Sequence, residues 1–428
     1  MTYPETIQYL EFFINYEKIP FWPYKESLKL ERFKGFLNLI GNPQNDLRCI
    51  HVAGTKGKGS TCAFIAYILK EAGFKAGLYT SPHLSDFRER IRILDRRGRK
   101  PPSNRDFEGI ISRKRLVSLV ARLKAAIEDF NQKTGYGPLS FFEVYTALAF
   151  LYFKEKKTDF VVLETGLGGR LDATNAANSL VAVITPVSYE HTQKLGNTLK
   201  EIASEKAGII KGLRPIVICA PQEKEAMRVI RQRCEEAGAK LLEAGAISGS
   251  LKISLLGKHQ RINAAAAVAA VEALREYNIY IGKEAVKRGL KRTFWPGRCE
   301  VISRRPLLVL DGAQNVASMR AIKTAVKENF RFEKLVLVLG ISRDKDISGA
   351  CREIKNSADE IILTKANNPR ATAPRDLLGY FSAKKTYLAE NVMQAIRLAK
   401  EKAGKRDLIL VTGSLFVVGE AREILTER

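Results

Sequence analysis

Short runs of apolar, β-branched residues alternate along most of the chain with stretches whose apolar residues recur at helical spacing, the pattern of strand–helix units built on a parallel sheet. The runs CIHVAG from Cys49, AGLYT from Ala76, DFVVLET from Asp159, VAVITPV from Val181 and PIVICA from Pro215 predict five strands. Their apolar character is nearly continuous, so helices should cover both faces and none of the five should lie at a wet edge. The pattern restarts after the turn-rich FWPGR stretch, Phe294 to Arg298. There PLLVLDGA, KLVLVLG, DEIILTKA and DLILVTGS, with helical segments between them, predict a second, smaller Rossmann-like unit of four strand–helix repeats. The expected division is residues 1–296 and 297–428, and the expected fold class is α/β. No fixed-period repeat and no low-complexity segment interrupts this order.

Within the first unit, HVAGTKGKGSTCAFIAYILKEAG sets a strand, a glycine-rich turn and an amphipathic helix in immediate succession. Gly54, Gly57 and Gly59 let the backbone approach phosphate oxygens, and the helix that follows turns its free N–H groups and positive dipole end toward them. Lys58 supplies a mobile positive charge, with Thr55, Ser60 and Thr61 as hydroxyl contacts. A strict Walker A motif needs glycine where Val52 stands and Ser or Thr where Gly59 stands, so this is a variant phosphate loop. The first domain is therefore expected to be a parallel-sheet ATPase domain of the P-loop type. Glu164 closes the apolar strand DFVVLE, as an acidic metal-binding residue does when it ends a buried strand beside a phosphate loop; a salt-bridged or capping carboxylate is the plainer alternative.

Composition narrows the class. Hydrophobic residues make up 45% and charged residues 27% of 428, the balance of a globular protein. The apolar run from Ala264 to Val271 stops at Glu272, short of the about 20 residues a membrane span needs. The N-terminal MTYPETIQYLEFFINYEK lacks a basic n-region and a cleavage site, so the expected location is the cytoplasm. Six scattered cysteines with no C-x-x-C pair argue against structural zinc and a disulfide framework. The 71 Lys and Arg exceed the 46 Asp and Glu by 25 charges, an excess that attracts polyanions. The basic residues are dispersed and no zinc-finger or RNP signature accompanies them, which argues against nucleic acid. Two denser clusters, Arg96, Arg97, Arg99 and Lys100, then Arg113, Lys114 and Arg115, flank a Pro-Pro-Ser-Asn turn and read as a solvated surface loop.

The loop form G-T-x-G-K-G-S-T is followed in order by TSPHLSDFRERIRI, SFFEVYTALAF, LETGLGGRLDATN, EHTQKLGNTLKEIASEKAGIIK, LLGKHQRINAAAA, PGRCE, LDGAQN, GISRDKD and VTGSLFVVGEAR. In this order and spacing the chain, from about Phe33 to about Arg422, resembles the folylpolyglutamate synthase and dihydrofolate synthase family of the Mur ligase superfamily. The resemblance implies ATP-dependent amide formation. A substrate carboxylate attacks the γ-phosphate of ATP to give an acyl phosphate, and the amino group of L-glutamate then displaces phosphate. Both steps gather negative charge, so magnesium and fixed cations matter more than an elaborate acid or base.

The same resemblance implies roles for individual residues. Ser81 and His191 join Glu164 around one magnesium, with Ser60 kept as a phosphate contact. Lys206 is the position that family members often carry as a carbamate, an anionic ligand for a second magnesium. Asp172 resembles a position used for catalysis or for placing the amino substrate, in competition with a plain Asx turn. Asn263 matches an adenine-side contact. Arg298 matches the arginine that reaches the ATP phosphates from the linker, a guanidinium that completes the site when the domains close. Asp311 ends the strand PLLVLD, where ligands bind in open α/β sheets, and is expected to contact nucleotide or glutamate. Ser414 matches a glutamate-side contact and could equally cap a helix. The family's usual histidine in DGAHN is Gln314 here, which bonds but carries no positive charge. Phe142 and its neighbour Phe141 resemble the segment near the pterin pocket, though aromatics at this spacing also serve as core.

The expected partners are a reduced folate or dihydropteroate, L-glutamate and ATP, acted on by a monomer. Other readings are a Mur-type ligase acting on a cell-wall precursor, disfavoured by TSPHL, SFFE and TGSLFVVGEAR, and a non-catalytic nucleotide- or nucleic-acid-binding protein using the charge excess.

Overall fold

The computed structural model describes residues 1–426 apart from 18, 20–21, 99–106, 134, 213–214, 248 and 250. The chain forms two compact units, one of Met1–His83, Phe87–Ser254 and Gln260–Thr293, the other of Leu84–Asp86, Leu255–His259 and Phe294–Arg428. The main segment of the second unit begins at Phe294, three residues before the expected start at 297, and two short stretches from earlier in the sequence side with it.

The first unit is built on seven strands: β1 Cys49–Ala53, β2 Ala76–Tyr79, β3 Ile91–Leu94, β4 Phe160–Glu164, β5 Ser179–Ile184, β6 Ile216–Cys219 and β7 Lys240–Glu243. Their order is β3-β2-β4-β1-β5-β6-β7. Every pair is parallel except β2–β3. The five strands expected from apolar runs are β1, β2, β4, β5 and β6, and they fill the interior; the two missed are the edges. β7 shows why, since its KLLE is exposed at both ends and half-buried between. In β3 the strand IRIL carries Arg92, a charge that breaks the apolar run yet is buried, its Nε donating to the Glu108 carbonyl.

Because β1, β4 and β5 run in the same direction side by side, the loops leaving their C-terminal ends emerge at one edge of the sheet, where open α/β sheets bind ligands. In the register, Val52 lies beside Glu164. The helix Phe141–Glu155 is started by a capping box in which the Ser140 hydroxyl and the Glu143 carboxylate exchange bonds with each other's backbone N–H. Its Phe141, Tyr145, Phe150 and Phe153 sink into a core shared with Phe33 and Phe36.

The second unit holds β8 Glu300–Arg304, β9 Leu307–Leu310, β10 Leu335–Leu339, β11 Glu360–Leu363, β12 Lys385–Leu388 and β13 Leu408–Thr412. Their order is β12-β11-β10-β13-β9-β8, parallel except for β8 against β9. The four expected strands are again the interior ones, β9, β10, β11 and β13. Near its start a buried ion pair joins Glu300 to Arg422 at 3.1 Å.

All six cysteines are buried free thiols. No helix among the described residues is long and apolar enough to cross a membrane. Of the two basic clusters, Arg96, Arg97, Arg113 and Lys114 are exposed, while Arg115 pairs with Glu155. Arg99, Lys100 and the Pro-Pro-Ser-Asn turn lie outside the described residues.

Candidate functional site

β1 runs into Gly54–Gly57 and then the helix Lys58–Glu71. Two of the loop glycines have no substitute. Gly57 sits at φ +86°, and a Cβ there would come 2.1 Å from Oδ1 of Asn263; Gly54 sits at φ +147°, with a Cβ 1.9 Å from Oγ1 of Thr185. Asn263, on the helix Lys258–Glu272, is itself held by donating to Gln260 Oε1 at 2.9 Å. The loop is fastened to the segment that follows β5. Thr55 and Lys56 N–H groups donate to the Pro186 carbonyl, and the Thr55 hydroxyl donates to the Ser188 carbonyl at 3.1 Å. Lys56 pairs with Glu190 at 2.7 Å. Gln222 extends the fastening to the loop after β6, its amide donating to the Thr185 carbonyl and accepting from the Val187 N–H. Ser60 and Thr61 are buried, and the Thr61 hydroxyl has no hydrogen-bond partner among the described residues.

Glu164 ends β4 with 5% of its surface exposed, and the Ser81 N–H donates to its carboxylate at 3.2 Å. The structure therefore brings Ser81 and Glu164 together. The next residue, Thr165, buries a hydroxyl with no hydrogen-bond partner among the described residues. His191 is exposed, with left-handed backbone at φ 54°, directly after the Glu190 that pairs with Lys56. Among the described residues no group of three or more His, Cys, Asp and Glu side chains is placed to hold a metal. The expected set contains only two such residues, Glu164 and His191, beside a serine. The Glu164 carboxylate and the Ser81 hydroxyl are hard oxygen donors of the kind Mg²⁺ selects, and the Ser81 N–H bond to Glu164 holds the two residues together, so they fit that ion.

Lys206 lies in the helix Leu199–Ala207, almost wholly buried, and its Nζ donates to the Gly54 carbonyl at 2.9 Å. Burial first, and then the charge of Lys58, bring its ammonium down from 10.5 to about 7, against an opposing pull from Glu190.

Asp172 is buried at the end of the loop that follows β4, with all its hydrogen bonds local. Oδ2 accepts from the Gly166 and Leu167 N–H groups at 2.9 and 3.0 Å; Oδ1 accepts from the Thr174 N–H at 3.0 Å and the Thr174 hydroxyl at 2.5 Å. Burial raises its carboxyl, and these bonds oppose the rise. This is the Asx-turn arrangement that competed with a catalytic reading. The loop then packs on the Lys206 helix. Arg170 N–H donates to the Glu205 carbonyl at 2.8 Å, its guanidinium pairs with the Glu205 carboxylate at 2.7 Å, and Tyr24 donates to the other carboxylate oxygen at 3.1 Å. Phe141 is fully buried core, with the Arg90 guanidinium 5.3 Å from its ring centre. Phe142 is half-buried and lies over Gly166, where a Cβ would meet its ring at 2.8 Å.

In the second unit, Asp311 ends the run after β9 and accepts from the Cys299 and Ala313 N–H groups at 2.8 and 2.9 Å; burial raises its carboxyl and Arg298 opposes this. Arg298 donates to the Gly297 carbonyl at 3.0 Å and lies against Gly312, which leaves no room for a side chain. Gln314 is half-buried, its N–H on the Ser318 hydroxyl. Ser414 is buried, and its hydroxyl accepts from the Phe416 N–H at 3.2 Å at the start of the helix Leu415–Thr426.

Sequence reasoning passed over several residues that shape the site: His51, Thr174, Glu205, Glu190, Gln222 and Gln260. The lone imidazole inside an otherwise apolar strand was the signal available for His51.

Residues 140–271 match the Mur ligase middle domain, and residues 297–415 match the Mur ligase glutamate ligase domain. A variant phosphate loop on a parallel sheet, followed by a second α/β unit, is thus the frame of a Mur-type ligase. Over 422 residues the chain is 36% identical to a dihydrofolate synthase/folylpolyglutamate synthase of Bacillus subtilis, covering 92% of this chain and 94% of that protein. It is 31% identical over 392 residues to the enzyme of the same name from Escherichia coli, covering 88% and 86%. The structure of Mycobacterium tuberculosis folylpolyglutamate synthase complexed with ADP superposes with a TM-score of 0.87 at 28% identity, covering 100% and 98% of the two chains. That of E. coli FolC in complex with DHPP and ADP superposes with 0.84 at 28% identity, covering 99% and 98%. The chain belongs to the dihydrofolate synthase/folylpolyglutamate synthase family.

Proposed function

We propose that this chain is an ATP-dependent ligase that joins L-glutamate to a folate carboxylate, either lengthening the glutamate tail of a reduced folate or converting dihydropteroate to dihydrofolate. The observation that carries the reading is the convergence, at one sheet edge, of the Gly54–Gly59 loop with Glu164 and a buried Lys206 bonded to the loop itself. Family membership supplies the substrates.

The loop N–H groups and Lys58 cradle the ATP phosphates, with Thr55, Ser60 and Thr61 as further contacts and Asn263 on the adenine side. Glu164, Ser81 and His191 would hold a magnesium ion. Such an ion would offset the negative charge gathered on the phosphates as the acyl phosphate forms and as phosphate then leaves it. Lys206, brought down to about 7, holds a large neutral fraction near neutral pH, and a neutral amine is the form that adds carbon dioxide. A carbamate there would give an anionic oxygen ligand for a second ion. Asp172 acts by ordering the loop rather than by touching the reacting atoms. Phe142, on Gly166, offers an apolar face for the pterin ring. From the second unit, Arg298 and Asp311 serve the nucleotide, and Gln314 and Ser414 serve glutamate. The resemblance supports a monomer working in the cytoplasm. The experiment is phosphate release from Mg-ATP that depends on both glutamate and a folate acceptor.

A further inference from the structure

His51 lies on β1, three positions before Gly54, with no exposed surface. Its Nε2 is 2.8 Å from the hydroxyl of Thr174, which is itself fully buried. That hydroxyl donates to Asp172 Oδ1 at 2.5 Å, so its remaining capacity toward His51 is as an acceptor. The imidazole therefore donates from Nε2–H and keeps Nδ1 bare, and Nδ1 is buried with no partner among the described residues. Burial, aided by the nearby Lys211 charge, holds the imidazole down to about 3, so it is neutral throughout the working range. Beyond Asp172 the chain of bonds continues into the Gly166 and Leu167 N–H groups, immediately after Glu164 and Thr165. The same loop bears on the Lys206 helix, since a Cβ on Gly169 would come 2.8 and 2.9 Å from the Glu205 and Lys206 carbonyls.

We propose that His51 is a positioning residue for the ligase reaction: through Thr174 and Asp172 it locks the 166–170 loop, and the loop sets Glu164 and the Lys206 helix against the phosphate loop. The inference rests on the ligase reading of Glu164 and Lys206. A buried imidazole with one bare nitrogen costs stability, and a strand-filling leucine would avoid that cost. Its use lies in the direction of the hydrogen bond it imposes, as with the outer partners that orient metal ligands.

The test has a kinetic arm and a spectroscopic arm on the full chain. H51L and T174V should lower kcat about 10- to 100-fold while leaving ATP affinity unchanged, and H51Q and T174S, which keep the donor and the hydroxyl, should recover most of it. Only four histidines are present, so a ¹⁵N-histidine spectrum of the wild type, with H51Q as the assignment control, reads the ring directly. A protonated Nε2 and a bare Nδ1, unchanged from acid to alkaline pH, is the expected result. An Nδ1-protonated ring, wild-type kcat in H51L, or equal losses in leucine and glutamine variants would overturn the proposal. Should H51L not fold, T174V carries the kinetic arm with a near-isosteric change. A wild type without turnover would defeat the ligase reading, and the ring tautomer would then decide the relay by itself.

Discussion

Lys206 donates from Nζ to the carbonyl of Gly54 at 2.9 Å, a bond that spans 152 positions of sequence and ties a buried amine to the first residue of the phosphate loop. Its folded ammonium titrates near 7, and the unfolded side chain keeps the ordinary 10.5. Between those values the unfolded chain holds a proton that the folded chain has released, so stability rises with pH across that window. Urea unfolding from pH 7 to 10 should show that rise in the unmodified wild type and lose this component in K206M. Under ¹³C-bicarbonate, the wild type should show a carbamate carbon signal that K206M lacks.

The contact between Gly57 and Asn263 makes the loop intolerant of a single methyl group. G57A places Cβ 2.1 Å from the amide oxygen and also forces alanine into left-handed backbone at φ +86°. ATP affinity measured by calorimetry should fall at least about tenfold, with the melting temperature lowered only modestly. Truncating the neighbour in G57A/N263A relieves the clash but leaves the φ strain and removes the adenine-side amide, so the melting temperature should recover in part while ATP affinity should not.

Glu164 accepts from the Ser81 N–H and is almost buried. E164Q keeps the shape and can still accept from the Ser81 N–H, but removes the charge a cation needs. We expect kcat to fall roughly 100-fold or more and the magnesium concentration for half-maximal activity to rise, with the far-ultraviolet spectrum unchanged.

Phe141 and Phe142 are adjacent, yet their environments differ: the first is core, the second half-buried over Gly166. F141A should destabilise the chain by about 3–5 kcal/mol in denaturant unfolding. F142A should cost little stability and instead raise KM for the folate acceptor by about tenfold, leaving KM for ATP in place.

The interior of both sheets was legible because continuous apolar runs have few other ways to be buried, and β1, β2, β4, β5, β6, β9, β10, β11 and β13 all carry them. The edges were not legible. KLLE in β7 and KTYL in β12 have exposed ends and two half-buried residues between, which by pattern alone is indistinguishable from a loop, and Arg92 hides β3 by placing a charge where its neighbours are apolar. Among site residues, the Gly54–Gly59 loop announced itself because phosphate binding constrains contiguous sequence. Asp172 was named with two readings, since an Asx turn and a catalytic carboxylate look alike in sequence, and its hydrogen bonds to Gly166, Leu167 and Thr174 are those of the turn. His51 escaped because its meaning depends on Thr174, which lies 123 positions away.

Phosphate release from Mg-ATP, followed with and without L-glutamate and in parallel with dihydropteroate and with tetrahydrofolate, decides whether this chain works as a folate ligase. A folate ligase should release phosphate only with glutamate and at least one of the two acceptors present, with the amide product in equal amount. Protein that binds ATP but releases no phosphate with either acceptor, or releases it regardless of glutamate, would contradict that reading.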